Sequence, residues 1–222
     1  MDPEHSSESE TKSAALEILI ATSNRGKMVE IQSILQDRPW RYCLLDRFPE
    51  IQFPEEGEEY EPNAAEKARC AAAGSGLISI ADDSGLEVEA LNWGPGPLSA
   101  RYGGPGLNDG QRVETLLDAL KDCGEEARRA RFVCYAALAT PEGEVFVTRG
   151  ECTGVISRAP RGEAGFGYDP VFIPDEGQAE TGARRSMGEL PPAVKNQISH
   201  RAQAFLSLSG KLDGAASAFV GG

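Results

Sequence analysis
Asp82 and Asp83 stand side by side, directly after the apolar run at residues 77–81 and before Ser84 and Gly85. Ligands of α/β sheets sit outside the carboxyl ends of strands. Two carboxylates at such a place can hold Mg2+ or poise a water for attack. Neighbouring residues on an extended chain point to opposite sides, so one of the pair is expected to be catalytic and the other structural. The plainer reading is a turn in which an Asp caps backbone N–H groups. Paired acids after so apolar a run favour chemistry.

Thr22, Ser23, Asn24, Arg25, Gly26 and Lys27 follow the apolar residues 18–21. A strand that turns into a helix start presents free backbone N–H groups and the positive end of the helix dipole to an anion. Lys27 would complete such a site. It is no Walker A loop, because no glycine precedes the turn and Met28 stands where Ser or Thr is needed. Taken alone, the segment is a helix start capped by Ser23 or Asn24. Glu55, Glu56, Glu58 and Glu59 form an acidic loop. One or two of them could serve Mg2+, which needs few carboxylates beside phosphate oxygens.

Two later segments suit a nucleotide. Gly165 and Gly167 flank Phe166 and precede Tyr168 and Asp169. Glycines let a backbone approach a flat ligand; Phe166 or Tyr168 could stack on a base, and Asp169 could accept from a ring N–H. A loop pinned by buried aromatics is an equal alternative. Lys195, His200 and Arg201 put three cations within seven residues, able to clamp a phosphate or read acceptors on a base. On their own they would be a polar helix surface.

The elements that must position these groups follow from pattern. Residues 18–21 read as a buried strand, and Met28, Ile31, Ile34 and Leu35 have the spacing of a helix closed by Pro39. A second strand is expected at 42–45, an Ala-rich helix at 63–73 stopped by Gly74 and Gly76, a strand at 77–81 and a short one at 86–91. Residues 92–110, rich in Gly and Pro, read as loop. Asn108 or Asp109 would cap a helix reaching Lys121. Runs at 130–140 and 144–154, separated by Pro141, Glu142 and Gly143, signal a hairpin. After a Gly-rich loop and a brief strand at 171–173, Pro191 and Pro192 would open one last helix, with Val194, Ile198, Ala202, Phe205 and Leu206 on its inner face. Strands alternating with helices, then a hairpin and a helix, make an α/β protein with a mixed sheet.

Composition bounds the function. With 40% hydrophobic residues the 222-residue chain can build a core, and no apolar run approaches the ~18 residues of a membrane span. The net charge of -13 argues against a long nucleic acid as partner. Residues 1–120 carry 10 basic and 22 acidic side chains, residues 121–222 carry 12 and 13, so acids gather early and cations balance them late. Five cysteines without CxxC spacing point to a reducing cytoplasm rather than to disulfides or zinc. The Ser- and Glu-rich residues 1–16 are expected to be a disordered extension, 17–210 a single two-lobed domain, and 211–222 a tail.

Six blocks in one order, TSNRGK at 22–27, EEGEEYEPNAAEKA at 55–68, IADDSGLEVEAL at 80–91, PGPLSARYGG at 95–104, GFGYDPVF at 165–172 and KNQISHRAQA at 195–204, resemble the non-canonical purine nucleoside triphosphate pyrophosphatases, the inosine/xanthosine triphosphatase family. The resemblance implies an elongated, twisted mixed sheet flanked by helices, with two lobes, a central cleft and a homodimer. It implies hydrolysis of ITP, dITP and XTP to the monophosphate and pyrophosphate with Mg2+. Thr22 to Lys27 would cradle the triphosphate. Asp83 would be the general base and, with Glu55, would hold the metal. Ser84, Phe166, Gly167, Tyr168, Asp169, Lys195, His200 and Arg201 would bind substrate, His200 and Arg201 donating to the purine O6. Glu59 and Tyr60 depart from the usual Thr-Phe, which leaves Glu55 and Glu56 open as alternatives for the metal. Competing readings are a related pyrophosphatase for modified pyrimidines and a nucleotide sensor without turnover. A serine hydrolase lacks its GxSxG.

Overall fold
The computed structural model describes residues 16–177 and 184–220, with side chains through residue 212. The extension expected over residues 1–16 lies, except for Leu16, outside them. The chain opens with strand β1 (Glu17–Ile20), helix α1 (Arg25–Ile34) and strand β2 (Arg41–Leu44). Helix α2 (Tyr60–Ser75) and the long strand β3 (Ile78–Val88) follow, then β4 (Gly94–Gly96) and α3 (Asp109–Ala119). The hairpin β5 (Arg129–Ala139) and β6 (Val145–Ile156) leads to β7 (Phe172–Pro174), α4 (Pro192–Ile198) and α5 (His200–Val220). The described strands form one seven-stranded mixed sheet in the order β2-β1-β3-β5-β6-β7, with β4 paired to β3. β1 runs parallel to β2 and β3; the other pairings are antiparallel.

The sheet is covered on both faces in its first half. Ile18, Ile20, Ile78, Ile80 and Leu138 meet Ile31 of α1 and Phe205 and Leu208 of α5. The alternate residues Leu19, Ala21, Ala81 and Ala137 meet the Ala-rich face of α2. A separate core gathers around the far ends of β3, β5 and β6, where Leu86, Val88, Phe132 and Ile156 pack with Val113 and Leu116 of α3. Three clusters thus pack on one continuous set of long strands. Buried Arg128 ties the second core together, donating to the carbonyls of Leu120, Ile156 and Ser157 at 2.7–2.8 Å.

Several local expectations are corrected. Asp82 to Gly85 are not a turn after a strand. They lie inside β3, because β5 pairs with it without interruption from Ser79↔Ala139 to Val88↔Ala130. Gly85 is demanded by this arrangement, since a Cβ there would come within 2.0 Å of the Gly96 carbonyl oxygen of β4. β4 in turn interrupts the loop expected over 92–110. The last helix is two, α4 and α5, broken at Ser199, whose extended backbone (ψ 149°) stops α4 and whose Oγ accepts from the Ala202 N–H to cap α5. Leu206 then points outward, 49% exposed. α2 starts at Tyr60, three residues before Asn63, with Pro62 in its first turn, where no intrahelical N–H is needed. The hairpin turn at Pro141 to Gly143 forms as expected, closed by the Thr140 N–H donating to Glu144 O at 2.9 Å. α5 continues to Val220, past the expected start of the tail.

Candidate active site
A gap in the sheet creates the site. β1 ends at Ile20, paired with Ile80, and β4 pairs with β3 only from Leu86 onward. Between them one edge of β3 is unpaired over Asp82, Asp83 and Ser84. The chain leaving β1 turns there into α1. Asn24 caps α1, its Oδ1 accepting from the Lys27 N–H at 3.0 Å, and Thr22 Oγ1 accepts from the Asn24 N–H at 3.2 Å. The expected helix start and its cap are both present, and Lys27 is delivered to the gap.

The alternation of β3 sends the two acids to opposite faces. Asp82 faces α1 and α5. Its Oδ2 lies 3.1 Å from Lys27 Nζ and 3.3 Å from Arg201 Nη2, and accepts from Ser84 Oγ at 3.0 Å. Burial works to raise its pKa, but the Lys27 and Arg201 charges outweigh it and hold the carboxyl well below the usual range. Asp83 faces α2. Its Oδ2 accepts from Asn63 Nδ2 at 2.8 Å, its Oδ1 accepts from the Ser84 N–H at 3.0 Å, and Lys67 Nζ stands 3.9 Å away. Here burial prevails over Lys67 and Asn63, and the pKa is raised. A carboxylate pushed upward in a cleft is suited to take a proton, and its neighbour, locked as an anion by two cations, is not. The pair is thus divided in role.

Lys67 is a residue that sequence reasoning passed over, although it lies in the block at 55–68. It joins Asp83 to Glu56, which it approaches at 2.6 Å. Burial raises the Glu56 pKa, and Lys67 more than reverses that. Glu55 is exposed and lines, with Glu56, Asn63 and Lys67, a groove of about 300 Å3 beside Asp83. Glu30 was also passed over. It sits three residues after Lys27 on α1 and forms short ion pairs with both Lys195 and Arg201. Its pKa is lowered, the Arg201 and Lys195 charges overcoming its burial.

On the other side of the gap is an aromatic cavity lined by Lys27, Ser84, Phe132, Phe166, Gly167, Tyr168, Asp169, Lys195, His200 and Arg201 among others. Phe166 lies against Gly26 and over Lys195 and Arg201, whose cationic ends are 5.2 and 5.6 Å from its ring centre. Its loop is held by Asp169, whose Oδ2 accepts from the Phe166 N–H at 2.8 Å and pairs closely with Lys195. Gly165 must be glycine, with φ +78° and the Asp169 carboxylate 2.0 Å from where a Cβ would stand. The Gly167 N–H donates to Asp109 Oδ2 at 2.8 Å, and Tyr168 Oη donates to Ser99 O at 2.9 Å. His200 is buried and stacked on Phe132, ring centres 4.7 Å apart. Burial, with Arg201 and Lys195 nearby, lowers its pKa well below the usual value. This corrects the count of three cations: His200 is neutral and Lys195 and Arg201 carry the charge. Of the expected residues, Asn24, Lys27, Ser84, Phe166, Gly167, Tyr168, Asp169, Lys195, His200 and Arg201 line this cavity; Asp83 lies through the gap, and Glu55 at the rim of the α2 side. Thr22 and Ser23 form the turn after β1, and Arg25 and Gly26 open α1.

Fold and cleft define a mixed-sheet α/β protein whose site is a break in the sheet, and solved structures share that form. The HAM1 protein of Coxiella burnetii superimposes with a TM-score of 0.77 at 39% identity, covering 89% of this chain and 98% of that one. A nucleoside-triphosphatase, dITP/XTP pyrophosphatase, of Mycobacterium abscessus does so with a TM-score of 0.68 at 42% identity, covering 87% and 98%. The dITP/XTP pyrophosphatase of Deinococcus deserti is 46% identical over 193 residues, 86% of this chain and 87% of the relative. Residues 18–211 match the Ham1 family. The chain belongs to the Ham1 family.

Proposed function
We propose that this protein hydrolyses non-canonical purine nucleoside triphosphates, ITP, dITP and XTP, to the monophosphate and pyrophosphate. The observation that carries the reading is the meeting, at one gap in the sheet, of a base-like carboxylate (Asp83), the cations Lys27, Lys67 and Arg201, and an aromatic cavity. Names of relatives from several organisms agree with it.

Water attacks the α-phosphorus, the new O–P bond forming as the bond to the bridging oxygen of pyrophosphate breaks. Asp83 takes the proton of that water, a role its raised pKa suits. Lys27 and the N–H groups that open α1 neutralise charge on the phosphate chain. Asp83 and Glu56, bridged by Lys67, and Glu55 beside Glu56 at the groove offer carboxylate oxygens of the kind Mg2+ prefers. Asp83 and Glu55 would hold it, and the ion would supply charge neutralisation on the phosphates. The purine enters beside Phe166 and Tyr168, with O6 toward Arg201 and His200. Adenine would bring an amine to those donors, and a buried donor left unpaired is strongly disfavoured.

On the same reading the protein works in the cytoplasm as a homodimer, in keeping with five free cysteines. Pyrophosphate release from ITP, XTP, dITP, GTP and ATP, with and without Mg2+, tests the proposal. Fast release from the first three, dependent on Mg2+, is expected. Binding of ITP without release would refute it in favour of a sensor, and preference for modified pyrimidines would refute the substrate class.

A further inference from the structure
The cations of the cleft are paired with acids, Arg112 the most loosely. Lys27 pairs with Asp82, Lys195 with Glu30 and Asp169, and Arg201 with Glu30 and Asp82. Arg112, in the first turn of α3, lines the same aromatic cavity as Phe132, Phe166 and Tyr168. Its side chain is 16% exposed, and its buried Nε has no hydrogen-bond partner among the described residues. The one acid beside it, Asp109, stands 3.7 Å from its Nη1, outside hydrogen-bond range, and the other Asp109 oxygen is taken by the Gly167 N–H. A guanidinium at a cavity wall, partly exposed and with its acid beyond hydrogen-bond range, is set to turn its terminal N–H groups to an acceptor on whatever fills that cavity.

Resting on the pyrophosphatase reading, we infer that Arg112 reads the 2-position of the purine and is a specificity-determining residue. The three purines that share O6 differ there. Hypoxanthine has a hydrogen, xanthine a carbonyl oxygen and guanine an amine. Arg112 donates to the xanthine oxygen, is indifferent to hypoxanthine, and meets the guanine amine donor to donor. Xanthine also gives up a ring proton near neutral pH, and a guanidinium holds the resulting anion more tightly still. This supplies what O6 recognition lacks, since O6 alone admits guanine. The residue sits apart from the segment at 195–201 that reads O6, so the two ends of the six-membered ring are read from different elements.

The test compares kcat/KM for XTP, ITP, dITP and GTP in wild type, Arg112→Met and Arg112→Lys. Loss of a charged hydrogen bond is expected to lower the XTP/ITP ratio about 10- to 100-fold in Arg112→Met and to raise GTP/ITP. Arg112→Lys, which keeps the charge without the planar fork, is expected to fall between. XTP/ITP and GTP/ITP ratios within twofold of wild type in both variants overturn the inference. So does a change confined to ITP/dITP, which would assign the arginine to the ribose hydroxyl. Wild-type protein that cleaves none of the four overturns the pyrophosphatase reading itself, and this inference with it.

Discussion
Replacing each member of the Asp82 and Asp83 pair by Asn should produce opposite phenotypes, although the residues are neighbours on one strand. Asp83→Asn keeps the Asn63 contact through its carbonyl oxygen and leaves Lys67 paired with Glu56 at 2.6 Å. It forfeits the bond from the Ser84 N–H, worth about 1 kcal/mol. Because the Asp83 pKa is raised in the fold, its protonated form is the stabilising one, and that stability is lost as pH rises through the folded value. The ionised group therefore opposes folding at neutral pH, and the neutral amide relieves this. The net change in stability should stay within about 1 kcal/mol, while turnover falls by roughly 10²- to 10⁴-fold with the general base gone. Asp82→Asn is the reverse case. The Asp82 pKa is lowered, so its contribution is present above the unfolded pKa and lost as pH falls through the folded one. Its removal at neutral pH strips Lys27 of its buried partner and Arg201 of one of two, a loss of about 3–5 kcal/mol for a broken buried pair. Denaturant unfolding and pyrophosphate release from ITP, measured on both variants, decide the matter. Asp83→Asn with kcat within tenfold of wild type would refute the assignment of the base, and Asp82→Asn as stable as wild type would refute the structural role of its neighbour.

The acidic limb of kcat/KM should lie above the ordinary Asp range, with activity rising as pH climbs through the raised Asp83 pKa. Lys67→Met, which removes a charge that opposes that rise, should move the limb to still higher pH; a limb that stays put would show that another group titrates. Arg201→Ala should raise KM for ITP and narrow the gap to ATP by about tenfold or more, checked by the ratio of the two kcat/KM values. Gly85→Ala should destabilise the fold, because its methyl would meet the Gly96 carbonyl. A loss of about 1–3 kcal/mol is expected in a denaturant titration.

Part of the local geometry was legible because its pieces are local. Ser23 or Asn24 announced the start of α1, of which the structure uses Asn24, and Asp82 and Asp83 point to opposite faces by the alternation of any extended chain. What the sequence could not reveal depends on partners far along the chain. That residues 82–85 belong to a strand follows from the ladder to β5, about fifty residues on. Glu30 looks like a surface acid of an amphipathic helix until Lys195 and Arg201, 165 and 171 residues away, close on it. His200 has a lowered pKa because it is buried against Phe132 and lies near Arg201 and Lys195. Ser199 carried a signal that could have been used, for a Ser two residues ahead of an Arg inside a helical pattern can serve as a cap as well as a face residue. Lys67 lay one helical turn after Asn63, which reaches Asp83, and that spacing was a usable sign.

The pairing of Lys27 with Asp82 has a consequence for how the cleft takes up an anion. A phosphate that draws on Lys27 meets a charge already shared with a buried carboxylate, so uptake is an exchange of one anion for another and gains less than a bare ammonium would give. Lys195 and Arg201, tied to Glu30, Asp82 and Asp169, are likewise largely neutralised, and serve a neutral base as hydrogen-bond donors more than as charges.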